Sequence, residues 1–206
     1  MGMRVPNELE LDQLARIWYD GWQDAHARIL PPELARHRTL ESFRRRLQSA
    51  LQDVRVSGPV GRPLGFSITK DDELYQLYVA AESRGSGLAA IVLQDAKERI
   101  GALGFQMAWL ACAIGNERAA RFYEKHGWER VGRMVSELPT PDGSFALEVW
   151  RYEKKLDGLR PAVGVAHVVL ETDRMGETTR FMRLIGMRPI SDGHDVPSTR
   201  CAAEHT

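Results

Sequence analysis

Residues 74–100 read LYQLYVAAESRGSGLAAIVLQDAKERI, a stretch that predicts a strand, a glycine turn and a helix. Residues 75–79 are rich in aromatic and β-branched side chains, which favour a strand. From Leu88 onward the apolar side chains recur every three or four positions, which indicates an amphipathic helix. They are Leu88, Ile91, Val92, Ala96 and Ile100.

The glycines between this strand and helix, Gly85 and Gly87, predict an anion-binding site. The first amides of a helix lack intrahelical partners, and the helix dipole is positive at that end. Glycine also lets a phosphate group approach the backbone closely. Because Arg84 directly precedes the turn, we favour a phosphate ligand over a plain connection.

The composition restricts the classes of protein that this chain can represent. Its 206 residues suit one domain with an appendage, or two small domains. The formal net charge is zero, which argues against nucleic acid and membrane surfaces as partners. The chain has no run of eighteen apolar residues and no signal-peptide pattern. Its two cysteines, Cys112 and Cys201, suggest neither a disulfide framework nor a zinc site, so we expect a cytoplasmic protein.

The remaining patterns predict a mixed α/β fold around the central strand and helix. Helices are expected at 11–25, at 40–51 with Thr39 as the cap, and between Asn116 and Gly127. Pro31 and Pro32 end the first helix. Arg44, Arg45 and Arg46 are expected on a solvated helix face. Further strands are predicted at 3–5, 54–56, 64–68, 105–113, 128–138 and 145–152.

The turn also fits the dinucleotide fingerprint G-x-G-x-x-G/A, through Gly85, Gly87 and Ala90. That site needs an acidic residue about twenty positions later to hold the ribose. The residues there are Leu110, Ala111 and Cys112, so a nicotinamide or flavin site is disfavoured. A Walker loop is excluded because no Gly-Lys-Ser/Thr follows.

Two motifs resemble those of the GNAT-type N-acetyltransferases. Arg84-x-x-Gly87-x-Ala89 resembles the Gln/Arg-x-x-Gly-x-Gly/Ala motif of that family. The second, Asn116-x-x-Ala119-x-x-Phe122-Tyr123-x-x-x-Gly127-Trp128, resembles the family's Asn-x-x-Ala-x-x-Phe-Tyr-x-x-x-Gly-Phe signature, with Trp128 replacing the usual Phe. The resemblance covers residues 3 to about 155. It implies a mostly antiparallel central sheet whose two middle strands are splayed apart, with helices on its faces.

The resemblance further implies acetyl-CoA as co-substrate and no metal. The amides of residues 84–89 would hold the pyrophosphate, and the backbone of Leu77 and Val79 would pair with the pantetheine as an added strand does. Asn116 would cap its helix and support the splay or contact the cofactor. The implied cofactor-binding residues are Leu77, Tyr78, Val79, Arg84, Gly85, Ser86, Gly87, Leu88, Ala89, Asn116 and Tyr123.

Acyl transfer to an amine needs a base, an oxyanion donor and an acid for the leaving thiolate. Tyr123 matches the family position that commonly acts as the acid. We predict Glu73 as the base, because it starts the central strand and strand alternation gives it one face with Tyr75, Leu77 and Val79. Some family members place a carboxylate six residues before the position of Val79. Asp72 and His26 remain alternative bases, and Trp22, His26 and Tyr75 are candidates for contact with the acceptor.

The last part of the chain carries a second resemblance. Residues 166–171 and 178–187 resemble the first strand and helix of a glyoxalase/vicinal-oxygen-chelate module, with His167 at a metal-ligand position. One histidine cannot form a metal site, and no strand pattern follows Asp192. We therefore divide the chain into an acetyltransferase domain at 1–156, a linker at 157–164 and an incomplete, partly disordered tail at 165–206. Two such tails suggest a possible homodimer.

The leading hypothesis is an acetyl-CoA-dependent N-acetyltransferase whose acceptor is a small-molecule or protein amine. The alternative is a non-catalytic CoA-binding sensor or regulatory domain, which would bind CoA without releasing thiol. The acceptor is not identified by any motif, since no acidic cluster typical of a polyamine site is present.

Overall fold

The structure is a computed structural model that describes residues 2–141 and 143–156, together with strand segments at 168–170, 188–191 and 199–202. Its contacts divide the chain into two compact units, Met1–Leu159 and Arg160–Thr206. None of the helices in the described part is long and apolar enough to cross a bilayer.

The first unit contains seven strands and five α-helices within its described residues. The strands are β1 (Met3–Arg4), β2 (Val54–Ser57), β3 (Gly65–Lys70), β4 (Glu73–Val79), β5 (Met107–Ala113), β6 (Glu129–Thr140) and β7 (Gly143–Lys155). The helices are α1 (Leu11–His26), α2 (Pro32–Ala35), α3 (Leu40–Ser49), α4 (Leu88–Ala102) and α5 (Glu117–Lys125). Short 3-10 helices occupy Glu8–Glu10, Leu51–Asp53 and Ala81–Ser83.

The seven strands form one sheet in the order β1-β2-β3-β4-β5-β7-β6, and every pair except β4–β5 is antiparallel. One buried cluster joins α1 and α3 to β2 and β3, with Trp18, Phe43 and Phe66 at its centre. A second cluster joins α4 and α5 to β5 and β7, and includes Leu93 and Leu110. The predicted mixed α/β fold with a mostly antiparallel sheet is confirmed.

The two central strands are splayed, as expected. Glu73 and Trp109 are the only register pair between β4 and β5 in the described residues, and the Trp109 amide donates to the Asp72 carbonyl at 3.0 Å. Beyond this point the strands diverge. The edge of β4 that follows therefore faces a space between two strands rather than a hydrogen-bonded neighbour.

A β-bulge in β4 changes the faces that simple alternation predicts. Ile68 pairs with Gln76 but Thr69 pairs with Leu74, so Tyr75 is an extra residue in the strand. As a result Leu77 packs with the α4 cluster, whereas Tyr75 packs with the α1 cluster. The prediction that Glu73 shares one face with Tyr75, Leu77 and Val79 is wrong for Leu77 and, by alternation, for Val79.

The predicted caps are confirmed, and they fix where the helices begin. The Thr39 hydroxyl accepts from the Ser42 amide at 3.2 Å, and the Asn116 side chain accepts from the Ala119 amide at 3.2 Å. Arg99 then holds α4 against the sheet by donating to the hydroxyls of Ser67 and Thr69 at 2.9 Å each. The Arg99 contacts fix the C-terminal end of α4 against β3.

Three local predictions differ from the structure. Pro32 begins the short helix α2 rather than only ending α1, because proline is well tolerated in the first turn of a helix. Strand β6 continues to Thr140, since its pairing with β7 extends as far as Thr140 and Gly143. Ile91 is 44% exposed, and Leu93 takes its place in the buried face of α4.

The second unit contains three described strands, β8 (Val168–Leu170), β9 (Arg188–Ser191) and β10 (Thr199–Ala202). They form an antiparallel sheet in the order β8-β10-β9. The prediction of no strand after Asp192 is wrong, because β10 receives backbone hydrogen bonds from neighbours on both sides, which its own sequence does not signal. His167, the linker at 157–164 and the helix predicted at 178–187 lie outside the described residues.

Candidate active site

A cleft of about 540 Å³ opens where β4 and β5 diverge. Its walls come from both central strands, the N-terminus of α4, helix α5 and the last two turns of α1. The cleft is lined by eleven of the fifteen predicted site residues: His26, Tyr75, Leu77, Tyr78, Val79, Arg84, Gly85, Gly87, Ala89, Asn116 and Tyr123. Trp22, Glu73, Ser86 and Leu88 do not line it.

The glycine turn at the start of α4 forms an anion cradle on one wall of this cleft. Gly85 and Gly87 adopt the left-handed conformation, with φ of 76° and 85°, which other residues reach only with strain. Gly87 is the N-cap residue and supplies no side-chain cap. The Leu88 amide donates to the Ser86 hydroxyl at 3.4 Å and the Ala90 amide to the Gly87 carbonyl at 3.0 Å, whereas the Ala89 amide has no intrahelical acceptor. The arrangement suits a phosphate group, as the sequence predicted.

Arg84 is held at the cleft by an acidic residue that sequence reasoning missed. The Asp24 carboxylate, on α1, lies 2.9 Å from Arg84 and 2.7 Å from Arg118 on α5. The hydrogen bond from Arg118, assisted by Arg84, lowers the pKa of Asp24. One carboxylate therefore bridges two arginines that line the phosphate side of the cleft. No local motif around Asp24 signals this contact, because its partners are far away in sequence.

Tyr123 lines the cleft from α5 and is oriented by aromatic neighbours. Its ring lies 6.2 Å from Trp128 and 6.1 Å from Tyr152, between centroids. Burial raises the pKa of Tyr123 above its ordinary value, so its hydroxyl keeps its proton at neutral pH. Burial likewise raises the pKa of the Cys112 thiol to about 12, which makes that thiol a poor nucleophile. The site thus offers a protonated phenol rather than a reactive cysteine.

Glu73 occupies the point where β4 and β5 separate. Burial raises the pKa of Glu73 from 4.5 to about 7, with Asp72 adding to the rise and Lys70 and Arg151 opposing it. A carboxylate whose pKa is near neutrality is suited to take a proton from an ammonium group. Since Glu73 does not line the cleft itself, a proton would reach it through an intervening water.

The two alternative bases are in different situations. Asp72 accepts from the indole nitrogen of Trp109 at 3.0 Å, so its carboxylate already anchors β5. His26 lines the cleft, but burial lowers its pKa to about 4. Its Nδ1 lies 3.2 Å from the Trp22 carbonyl oxygen, which requires that Nδ1 donates and leaves Nε2 as an acceptor. Trp22 itself is only 6% exposed and belongs to the core.

Arg46 is not on a solvated face, contrary to prediction. It donates through Nη2 to the Tyr75 hydroxyl at 2.7 Å, and its guanidinium lies 4.5 Å from the ring centroid of Trp18. The other members of the run behave as expected, because Arg45 is 66% exposed and Arg44 pairs with Asp12 at the surface. Only the packing of α3 against α1 distinguishes Arg46 from its neighbours.

Within the described residues, no group of three or more His, Cys, Asp or Glu side chains is arranged to hold a metal ion. The cleft therefore contains a phosphate cradle, an unpaired strand edge and a half-buried phenol, and Glu73, a carboxyl group of raised pKa, lies beside it. Such a set can bind a thioester cofactor along β4 and move protons at either end of an acyl transfer.

Comparison with known proteins agrees with this geometry. A family model described as "Acetyltransferase (GNAT) family" matches residues 11–128. A GCN5-related N-acetyltransferase from Rhodopseudomonas palustris superimposes with a TM-score of 0.60 at 19% identity, over 75% of this chain and 94% of that one. The PaiA N-acetyltransferase from Thermoplasma acidophilum, solved in complex with coenzyme A, gives 0.53 at 22% identity, over 74% and 97%.

YncA from Salmonella typhimurium, solved with its cofactor acetyl-CoA, gives a TM-score of 0.52 at 16% identity. The match covers 80% of this chain and 98% of that one. At these identities the solved structures establish the fold alone. No curated protein sequence gives a significant match.

Proposed function

The chain belongs to the acetyltransferase (GNAT) family, and from this premise we propose that it transfers the acetyl group of acetyl-CoA directly to a primary amine, with Glu73 as general base and Tyr123 as general acid. Membership of that family makes the protein an N-acetyltransferase. The proposal concerns the residues that carry the reaction and the kind of acceptor.

One observation carries the proposal: the unpaired edge of β4, the glycine cradle and Tyr123 all line the same cleft. We assign the pyrophosphate of CoA to the amides between Arg84 and Ala89, including those of Ser86 and Leu88. The pantetheine amides are assigned to the backbone of residues 77–79. Two structures of similar fold were solved with CoA or acetyl-CoA, which supports this choice of co-substrate.

In the proposed reaction each proton transfer is assigned to a named residue. Glu73 takes a proton from the ammonium form of the acceptor through one water, and the neutral nitrogen attacks the thioester carbon. A backbone amide of residues 77–79 donates to the oxyanion that forms. The C–S bond then breaks, Tyr123 donates its proton to the leaving thiolate, and the second amine proton is released as Tyr123 is reprotonated.

The raised pKa of Glu73 supports its role, since the group is partly ionised at neutral pH and basic enough to accept a proton. Asp72 is the weaker candidate because its carboxylate is engaged by Trp109. His26 is weaker because a histidine with a pKa of about 4 is a poor base for an ammonium group. All residues with an assigned role lie within 1–156, so we assign the activity to that part of the chain.

A screen of primary amines for thiol release from acetyl-CoA tests the proposal. With the best amine at saturation, Tyr123→Phe should lower kcat by about 100-fold, because the thiolate loses its proton donor. Tyr19→Phe is the matched control, since Tyr19 packs beside Phe43 with 6.3 Å between centroids and does not line the cleft. Tight CoA binding without thiol release for any amine would instead indicate a sensor or regulatory domain.

A further inference from the structure

A cluster of hydrogen-bond donors lies behind the two tyrosines of β4, on the side of α1 and α3. We call it the arginine cluster; its members are Trp18, Arg38, Arg46, Tyr75 and Tyr78. Tyr75 and Tyr78 line the cleft, so the cluster adjoins the space in which the acceptor must meet the thioester.

Arg38 is the most buried charged member, at 4% exposure. Its Nη1 donates to the Pro139 carbonyl at 3.0 Å, in the hairpin of β6 and β7. Burial and, next, the positive charge of Arg46 lower the pKa of Arg38 to about 10, while Tyr75 and Tyr78 act in the opposite direction. The two guanidinium groups therefore lie close enough to repel one another.

Among the described residues, neither arginine has an acidic partner. In residues 2–141 and 143–156 the ion pairs involve other arginines, and no carboxylate lies within 4.0 Å of the Arg38 or Arg46 guanidinium. The indole N–H of Trp18 is buried beside the Tyr78 hydroxyl, and no other acceptor lies within its hydrogen-bonding reach in the described residues. Removing a charge from water without a carboxylate partner costs several kcal/mol, so the two arginines favour an anionic ligand at this position.

We propose that the arginine cluster binds a carboxylate of the acceptor, so that the acceptor is an amino acid or another amine that carries a carboxylate. This inference rests on the proposed function, and it adds the substrate class that the sequence left open. Guanidinium groups bind carboxylates through paired hydrogen bonds, and the tyrosine hydroxyls can donate to the same oxygens. A carboxylate held behind Tyr75 and Tyr78 would leave the amine of the same molecule in the cleft.

Matched pairs of acceptors test this substrate class. Each amino acid is compared with the amine that lacks its carboxylate and with the corresponding aminophosphonate, by thiol release from acetyl-CoA. The wild-type enzyme should prefer the carboxylate by at least about tenfold in kcat/KM, because hydrogen bonds to a charged group are typically worth that much or more. Preference for the uncharged amine, or for the phosphonate, would overturn the proposal.

Variants of Arg46 test whether this residue causes the preference for an acceptor that carries a carboxylate. Arg46→Met keeps the apolar stem against Trp18 but removes the charge, and it should abolish the preference, a loss of about 10- to 100-fold for the carboxylate-bearing acceptor. Arg46→Lys should retain part of it, because the charge remains without the planar fork. Arg45→Met, on the exposed side of the same helix, is the matched control and should leave the preference intact. An equal loss for both members of each pair in Arg46→Met would show a purely structural role.

A binding measurement distinguishes failure of this inference from failure of the proposed function. If no amine releases thiol, calorimetric titration of the amino acids into the CoA-bound protein still tests the cluster. The site is supported without any turnover if an amino acid binds the wild-type protein, the amine without its carboxylate does not bind, and Arg46→Met binds neither. Equal binding of the amine that lacks the carboxylate contradicts it. Thermal denaturation of each variant shows whether it is folded.

Discussion

Replacing Glu73 by Gln should have opposite effects on activity and stability. The side chain removes a proton from the acceptor in the proposed mechanism, so Glu73→Gln should lower kcat/KM by about 100- to 10,000-fold. In the wild-type enzyme kcat/KM should rise with pH through about 7, since the carboxylate is the active form and the pKa of Glu73 is about 7. The variant should lose this inflection.

The stability effect follows from the same raised pKa. Below pH 4.5 Glu73 is protonated in both the folded and the unfolded chain, so its ionisation has no effect on folding. Between pH 4.5 and about 7 the unfolded chain loses the proton first, and the free energy of unfolding falls. The difference between these two pKa values corresponds to about 3 kcal/mol above pH 7. Glutamine is not subject to this penalty, so the variant should be the more stable protein at alkaline pH.

Urea denaturation at about pH 5 and about pH 8.5, together with pH–rate profiles, measures both effects. Glu98→Gln is the matched control, because Glu98 is exposed on α4 and its side chain accepts a hydrogen bond from Gln94. A variant that keeps the inflection near pH 7 would refute the role of Glu73 as base. A variant that is inactive yet gains no stability at alkaline pH would refute the argument from burial.

Two further predictions concern ion pairs at the two ends of α1. Asp24→Asn should tighten CoA binding by about threefold to tenfold, because Arg84 and Arg118 lose the carboxylate that competes with the phosphates. Calorimetry at low salt measures the affinity. Weaker binding would mean that Asp24 positions the two arginines for CoA. Glu10 is buried, and the hydrogen bond from Arg4 lowers its pKa from 4.5 to about 2. Glu10→Gln should lower the free energy of unfolding by about 3 kcal/mol at neutral pH. The difference between variant and wild type should shrink as the pH falls from 4.5 toward 2, because Glu10 then becomes protonated in the folded protein. An equal difference at neutral pH and near pH 2 would show that it does not come from the ionised carboxylate.

The fold could be predicted from the sequence to the extent that its signals are local. Thr39 and Asn116 cap helices as expected, because a cap depends on a side chain and an amide three residues away. Gly127 adopts a φ of 72° and ends α5, as a C-terminal glycine does. The bulge at Tyr75 was not predictable, since it is a property of the register between β3 and β4 rather than of either strand.

The candidate site likewise has parts that local sequence predicts and parts that depend on packing. The cradle formed by Gly85 and Gly87 is readable from residue type, because only glycine adopts the left-handed conformation there at little cost. Trp22 and His26 are one helical turn apart, yet only His26 lines the cleft, because the packing of α1 buries the indole ring. Periodicity identifies the helix but does not determine which neighbour covers each side chain.

The sequence by itself determined the order of the elements, the caps and the phosphate cradle, because each depends on residues within a few positions of one another. The tertiary structure decided which side chains acquire long-range hydrogen bonds, ion pairs and shifted pKa values. Arg46 meets Tyr75 across 29 positions and Asp24 meets Arg118 across 94, and these contacts exist only once the helices are packed on the sheet. The raised pKa of Glu73 likewise arises from burial at the point where β4 and β5 separate, which no short stretch of sequence encodes.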